Sequence, residues 1–169
     1  CHLDPSAEIP LVAMAMDATM RLVSPRGERL VPMSAFAKDI MTTALEPDEL
    51  LAEIRFPIWP AGTKVGFREE ARRHGDFAIA AAAVLVARDS AGRIERIAMA
   101  MGGVTPTPHR LAEAERAMLG RALDATTIEI AASAAQAIDA MTDATYPAWY
   151  RQKIGATMLR RVLTELQQQ

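Results

Sequence analysis

The sequence predicts an α+β protein in which antiparallel strands come first and helices follow. Lys64 to Ala71, Phe77 to Ala87 and Ile94 to Met101 read as three strands. Segments with helix start signals then begin near Pro108, Thr126 and Pro147. Strands kept apart from helices in this way point to α+β rather than to the alternating order of a parallel α/β sheet. No internal repeat is present, and compositional bias is confined to alanine and the Gln167 to Gln169 tail.

The stretch from Arg72 to Gly103 organises the rest. A charged turn, Arg72-Arg73-His74-Gly75-Asp76, feeds the run from Phe77, and Asp89-Ser90-Ala91-Gly92 breaks it before the run that ends at Met101. That is the pattern of a buried β-hairpin. The first run is nearly all alanine, with bulk only at Ile79, Val84, Leu85 and Val86. Small residues on both faces of a strand require that whatever covers the sheet approach its backbone closely.

Upstream, a short helix is expected to start at Pro10, because proline suits the first helical position and disfavours helical geometry at Ile9. Thr19 to Val23 and Arg29 to Val31 form a small hairpin, Ser34 to Asp39 one helical turn, and Met41 to Asp48 a loop. Alternation from Leu50 to Pro57 places Leu50, Ala52, Ile54 and Phe56 on one face and Leu51, Glu53 and Arg55 on the other. Leu51 is then a large apolar side chain on a polar face, either simple edge exposure or a contact for a flat ligand or partner. Trp59-Pro60-Ala61-Gly62 reads as a hinge that divides the chain into residues 1–59 and 60–169.

Downstream, Gly102-Gly103 and Thr105-Pro106-Thr107-Pro108 break the regular structure. Thr107 as N-cap, Pro108 as first residue and Gly120 as terminator outline a helix from Pro108 to Leu119. Thr126 and Glu129 have the spacing of a capping box for an alanine-rich helix running to about Met141. A last helix from Pro147 to Leu166 aligns Gly155, Met158, Leu159, Val162 and Leu166 on one stripe.

Composition excludes several classes of function. The 169 residues suffice for one ordinary domain or two small ones. A net charge of -2 gives no electrostatic case for a nucleic-acid partner or an acidic membrane surface. No apolar run is long enough to span a bilayer. Cys1 is the only cysteine, which fits a reducing, cytoplasmic setting. The chain opens on Cys1-His2-Leu3-Asp4 and reads as a piece of something longer.

No catalytic constellation stands out. His2, His74 and His109 are far apart and none has a metal-binding spacing. There is no Gly-x-Ser-x-Gly elbow, and the prolines after Gly102-Gly103 withhold the amides that a phosphate-binding glycine loop presents.

Five blocks carry a resemblance across nearly the whole chain. They are Asp4-Pro5-Ser6-Ala7-Glu8-Ile9-Pro10; Leu45-Glu46-Pro47-Asp48-Glu49-Leu50-Leu51 with Ile54-Arg55-Phe56-Pro57; Phe67-Arg68 with Arg72-Arg73-His74-Gly75-Asp76-Phe77-Ala78; Gly102 to Pro108 with Arg110; and Tyr150-Arg151. In this order they resemble the FAD-binding (medium) subunit of molybdenum hydroxylases, the carbon monoxide and xanthine dehydrogenase type. The resemblance implies part of an FAD-binding subdomain over 1–59, followed over 60–169 by a domain of a three-stranded antiparallel sheet and a three-helix bundle. It also implies that the two glycine-rich loops holding the FAD pyrophosphate lie in an N-terminal half upstream of Cys1.

Carried over residue by residue, Glu8 matches an acidic position that hydrogen-bonds FAD sugar hydroxyls; equally, it suits the positive end of a helix. Asp4 matches a position in the same loop, and an Asx-turn before Pro5 also accounts for it. Leu51 matches a residue packed near the isoalloxazine ring, or is ordinary packing. Arg68 matches a basic position near the flavin, or is a solvated strand residue. Asp76 lies in a shared block but has Arg72 and Arg73 as local partners. Tyr150 and Arg151 are read as anchors of the last helix or of a subunit contact.

The function implied is electron relay: substrate is hydroxylated at a molybdenum cofactor in a large subunit, electrons pass through 2Fe-2S clusters in a small subunit, and FAD delivers them to an acceptor. Such subunits assemble as a dimer of heterotrimers. No residue here then needs to be an acid, base or nucleophile for the hydroxylation, which agrees with the missing constellation. The alternative is a non-catalytic interaction module that docks neighbouring subunits and does not hold FAD by itself.

Overall fold

The computed structural model describes residues 2–169. The chain begins with α1 (Glu8–Ala15), β1 (Thr19–Ser24), β2 (Gly27–Pro32), α2 (Met33–Phe36), β3 (Ala37–Asp39), β4 (Thr42–Thr43) and β5 (Leu50–Arg55). It continues with β6 (Lys64–Ala71), β7 (Ala78–Arg88), β8 (Ile94–Gly102), β9 (His109–Arg110), α3 (Ala112–Met118), α4 (Ala125–Gln136) and α5 (Ala148–Gln167). All pairings are antiparallel, in sheets ordered β2-β1-β5, β3-β4 and β6-β7-β8-β9.

Several elements begin or end away from their sequence signals. α1 starts at Glu8, two residues before the expected Pro10. Amides of the first turn have no intrahelical acceptor, so proline fits there as well as at the first position. The turn expected over Ser34 to Asp39 is helical only at Met33–Phe36 and leaves as β3, which pairs with β4 inside the expected loop. The helix expected from Pro108 starts at Ala112, because His109 and Arg110 pair with Met101 and Ala100 as a two-residue edge strand. For α4 the cap is Asp124 rather than Thr126: its carboxylate accepts from the Thr127 amide and the Thr127 hydroxyl accepts from the Asp124 amide, each at 2.9 Å. α4 ends at Gln136, and the Met141 amide turns to the Val104 carbonyl at 2.9 Å.

β5 carries the change that matters most for function. Arg21 stands opposite Glu53 and Leu22 opposite Leu51, so Ala52 is an extra residue. A bulge of this kind reverses the alternation beyond it. Leu51 and Ile54, expected on opposite faces, therefore both pack inward against the core beneath β1, while Leu50 is 75% exposed.

The alanine run of β7 is covered on both faces, as its composition requires. Ala80, Ala82, Val84 and Val86 lie in one core with α5, α4 and α3. Ala78, Ala81, Ala83 and Leu85 lie in a second core with Leu11, Ala13 and Ala15 of α1 and with Met20, Met33 and Phe36. The irregular connection around the expected hinge thus joins two stretches that share one core. Trp59 packs partly against that core, and the Arg96 guanidinium stacks 3.8 Å from its ring centroid, fastening the connection to β8.

Close approach fixes where side chains fit. A Cβ on Gly66 of β6 would stand 2.6 Å from Val162 Cγ1, and Val162 is buried on α5. Valine is stiff at χ1 and cannot swing away. We expect Gly66→Ala to lose about 1–3 kcal/mol in urea denaturation. The double variant with Val162→Ala should lose less than the sum of the two single losses, since the alanine removes the atom the new Cβ would strike; strict additivity would refute the clash.

Candidate functional site

One cavity of about 530 Å³ opens between α1, α2 and β5. Its floor is apolar, formed by the buried side chains of Met20, Met33 and Phe36. Leu51 and Ile54 of β5 form one wall and Ile9 and Ala13 of α1 another. Asp4, Glu8 and Glu53 are the carboxylates of its lining, and no lysine or arginine lines it.

The carboxylates differ in what they already bind. Asp4 accepts the Ser6 amide on Oδ1 at 2.8 Å, and its carbonyl accepts the Ala7 amide at 3.1 Å, the Asx-turn anticipated before Pro5. Glu53 is held by Arg55 and Arg21, each at 2.9 Å. The hydrogen bond from Arg55 above all, supported by Arg21, keeps its carboxyl below the usual carboxylate range. Glu8, the first residue of α1, is exposed, and its carboxylate pairs with no other side chain among the described residues.

Of the five residues singled out from sequence, Asp4, Glu8 and Leu51 converge on this cavity. Arg68 and Asp76 do not line it. Arg68 stands opposite Ala82 on the α5 side of the sheet, the side away from α1, and pairs with Glu165 of α5 at 2.9 Å. Asp76 lies in the exposed turn before β7, 3.7 Å from Arg72. Arg68 is separated because the sheet stands between α5 and α1, a relation that sequence order does not reveal. Ile54, Glu53 and the Met20–Met33–Phe36 floor had no such signal: the Ala52 bulge is needed to turn Ile54 inward, and the floor comes from three separate elements.

The donor set limits what part of a ligand can sit here. Carboxylates accept hydrogen bonds from hydroxyls, and an apolar floor suits a flat ring or a hydrocarbon. Among the described residues the lining has no lysine or arginine, and its Asp4 and Glu8 carboxylates have no guanidinium partner, which disfavours a diphosphate there. A family model described as the FAD binding domain in molybdopterin dehydrogenase matches residues 1–59, which contain the whole cavity. A second, the CO dehydrogenase flavoprotein C-terminal domain, matches residues 66–166. The chain belongs to the family of FAD-binding medium subunits of carbon monoxide and xanthine dehydrogenases.

Individual members of the family give the same picture. The 6-hydroxypseudooxynicotine dehydrogenase complex subunit alpha of Paenarthrobacter nicotinovorans is 34% identical over 97% of this chain. The carbon monoxide dehydrogenase medium chain of Afipia carboxidovorans is 35% identical over 95% of it. The chain spans 56% of the length of each of these two relatives. A solved carbon monoxide dehydrogenase from Hydrogenophaga pseudoflava, a form lacking the Mo-pyranopterin moiety of its molybdenum cofactor, superposes with a TM-score of 0.90 at 35% identity. That superposition covers 96% of this chain and 57% of the solved one. These relatives are medium chains and complex subunits, so members of the family work in assemblies of several chains. No helix among the described residues is long and apolar enough to cross a membrane.

Proposed function

We propose that this chain forms one side of the FAD cleft, and the platform behind it, in the medium subunit of a cytoplasmic molybdenum hydroxylase. The observation that carries the reading is the unpaired Glu8 carboxylate beside an apolar floor of Met20, Met33 and Phe36 in a cavity of about 530 Å³. Pockets for organic cofactors fall at roughly 300–1,000 Å³. FAD, when bound, supplies the electron transfer. Glu8 accepts from hydroxyls of the cofactor's sugar chain, Asp4 orders the loop beside it, and Leu51 with Ile54 packs near the flat ring and keeps water from it. Residues 1–59 carry this surface and residues 60–169 back it.

The diphosphate lies outside this cavity on this reading, because the Asp4 and Glu8 carboxylates repel it and no lysine or arginine of the lining offsets them. Its cradle belongs to glycine-rich loops in a further stretch of polypeptide. Electrons arrive from an iron-sulfur small subunit that takes them from a molybdenum large subunit, in a dimer of heterotrimers.

Visible absorption of the purified protein tests the assignment. A flavin spectrum, with FAD released on denaturation, is expected. In the deflavinated protein Glu8→Gln should weaken FAD binding about 10- to 100-fold, the value of a hydrogen bond to a charged acceptor. A colourless protein that still assembles with its partners would instead make the chain a docking module.

A further inference from the structure

Arg151 lies near the start of α5, only 4% exposed, and its side chain reaches back into the sheet. Nη1 donates to the Ile79 carbonyl at 2.8 Å and to the Gly103 carbonyl, and Nη2 donates to Asp143. Ile79 is itself an extra residue in β7, since Glu70 stands opposite Ala80 and Ala71 opposite Ala78. Gly103 has φ +71 and lies so close that a Cβ there would stand 2.8 Å from the Ile79 carbonyl oxygen. One guanidinium therefore fixes two irregular points of the sheet against each other.

The same two points hold the loop that enters the cavity. The Gly103 amide donates to the Pro5 carbonyl at 2.8 Å, and the Ser6 hydroxyl donates to the Ala78 carbonyl at 2.9 Å. The Ser6 amide donates to Asp4, and Ala7 is the N-cap of α1, one residue before Glu8. Ala7 supplies no side-chain cap, so the start of α1 is located by these external bonds. A continuous set of hydrogen bonds thus runs from α5, through Gly103 and the Ala78–Ile79 bulge, to the loop that bears Asp4 and Glu8.

We propose that Arg151 and Ser6 are positioning residues for the flavin cavity, setting the place of the Glu8 carboxylate through the backbone at the entry to α1; this rests on the flavin reading above. Neither lines the Glu8 cavity. Their effect passes through backbone groups that fix the entry to α1.

The test uses the protein purified with its native partners, as Ser6→Ala and Arg151→Lys. Ser6→Ala removes one hydroxyl and leaves every core contact, so it keeps the question open to measurement should Arg151→Lys fail to fold. In the deflavinated protein, amide hydrogen exchange over residues 4–9 should quicken, and FAD affinity should fall roughly three- to tenfold for Ser6→Ala, the range for one hydrogen bond. The midpoint potential of bound flavin should also shift, which a general loss of stability would not cause. Unchanged exchange, or faster exchange with wild-type affinity and potential, would overturn the proposal. A wild-type protein unable to bind FAD would instead sink the flavin reading and this inference with it; parity of variants with a flavin-binding wild type sinks this inference alone.

Discussion

Arg151→Leu is expected to lose about 2–5 kcal/mol of stability, chiefly because two carbonyls inside the fold lose their donor. Two effects compete for the explanation. Asp143 is nearly half exposed, and its carboxyl is held low first by the backbone amides of Tyr146 and Thr145 and only then by Arg151, so losing the ion pair matters little. The Ile79 and Gly103 carbonyls are accepting atoms inside the fold, and leucine gives neither a donor. A buried acceptor left unpaired costs about 1–3 kcal/mol, so the two carbonyls dominate. Urea denaturation measures the loss, and Asp143→Asn, which removes the ion pair and spares the carbonyl bonds, should lose well under half as much. Equal losses for the two variants would assign the effect to the ion pair instead.

The second large effect is expected at Glu115, a carboxylate 8% exposed on α3. Its Oε1 accepts the Met99 amide at 2.6 Å and the Arg110 guanidinium. β9 pairs with β8 only at Ala100 and Met101, so the outer edge of β8 beyond it is finished by other groups: Glu115 accepts the Met99 amide and the Leu111 amide donates to the Met99 carbonyl at 2.9 Å. The side chain therefore stands in for a missing strand. Arg110 also reaches the Met14 carbonyl at 3.1 Å and Asp17 at 2.8 Å, which ties this edge to the far end of α1. Glu115→Ala should lose about 2–4 kcal/mol by leaving an amide and a guanidinium without their acceptor. Glu115→Gln keeps an acceptor oxygen and should lose less than half of that. Hydrogen exchange at Met99 checks the mechanism: fast exchange is expected in the alanine variant and slow exchange in glutamine, and protection in both would refute the surrogate-strand role.

Much of the fold was legible because local chemistry and final structure agree there. β6 spans Lys64–Ala71, the bounds read for the first strand after the Trp59–Gly62 break, and α5 buries Gly155, Met158, Leu159, Val162 and Leu166 along the stripe read from periodicity. Alanine in β7 announced close cover on both faces, and α1 and α5 supply it. Helix starts were less legible. Proline at 108 is a good first helical residue, yet pairing of His109 and Arg110 with β8 takes those residues into the sheet. Thr126 has the capping-box spacing to Glu129, yet the reciprocal bonds between Asp124 and Thr127 make Asp124 the cap.

The site divides along the same line. Glu8, Asp4 and Leu51 could be chosen from sequence because the family's blocks surround them, and the fold brings them to one cavity. Ile54 could not, because one inserted residue at Ala52 turns the strand over and leaves no mark in the composition.

By itself the sequence determined the α+β class, the close-packed alanine sheet, and a charge pattern with no case for nucleic acid, since these follow from side-chain volume, periodicity and net charge, which are properties of the chain read in order. Tertiary structure alone decided that Arg68 faces α5 and not the cavity, that Ile54 joins Leu51, and that Arg151 holds the loop before Glu8. Those relations depend on which backbone groups meet across the sheet, between residues as far apart in sequence as Ser6 and Ala78. Hydrogen bonds of that reach are specified by packing, and no local pattern encodes them.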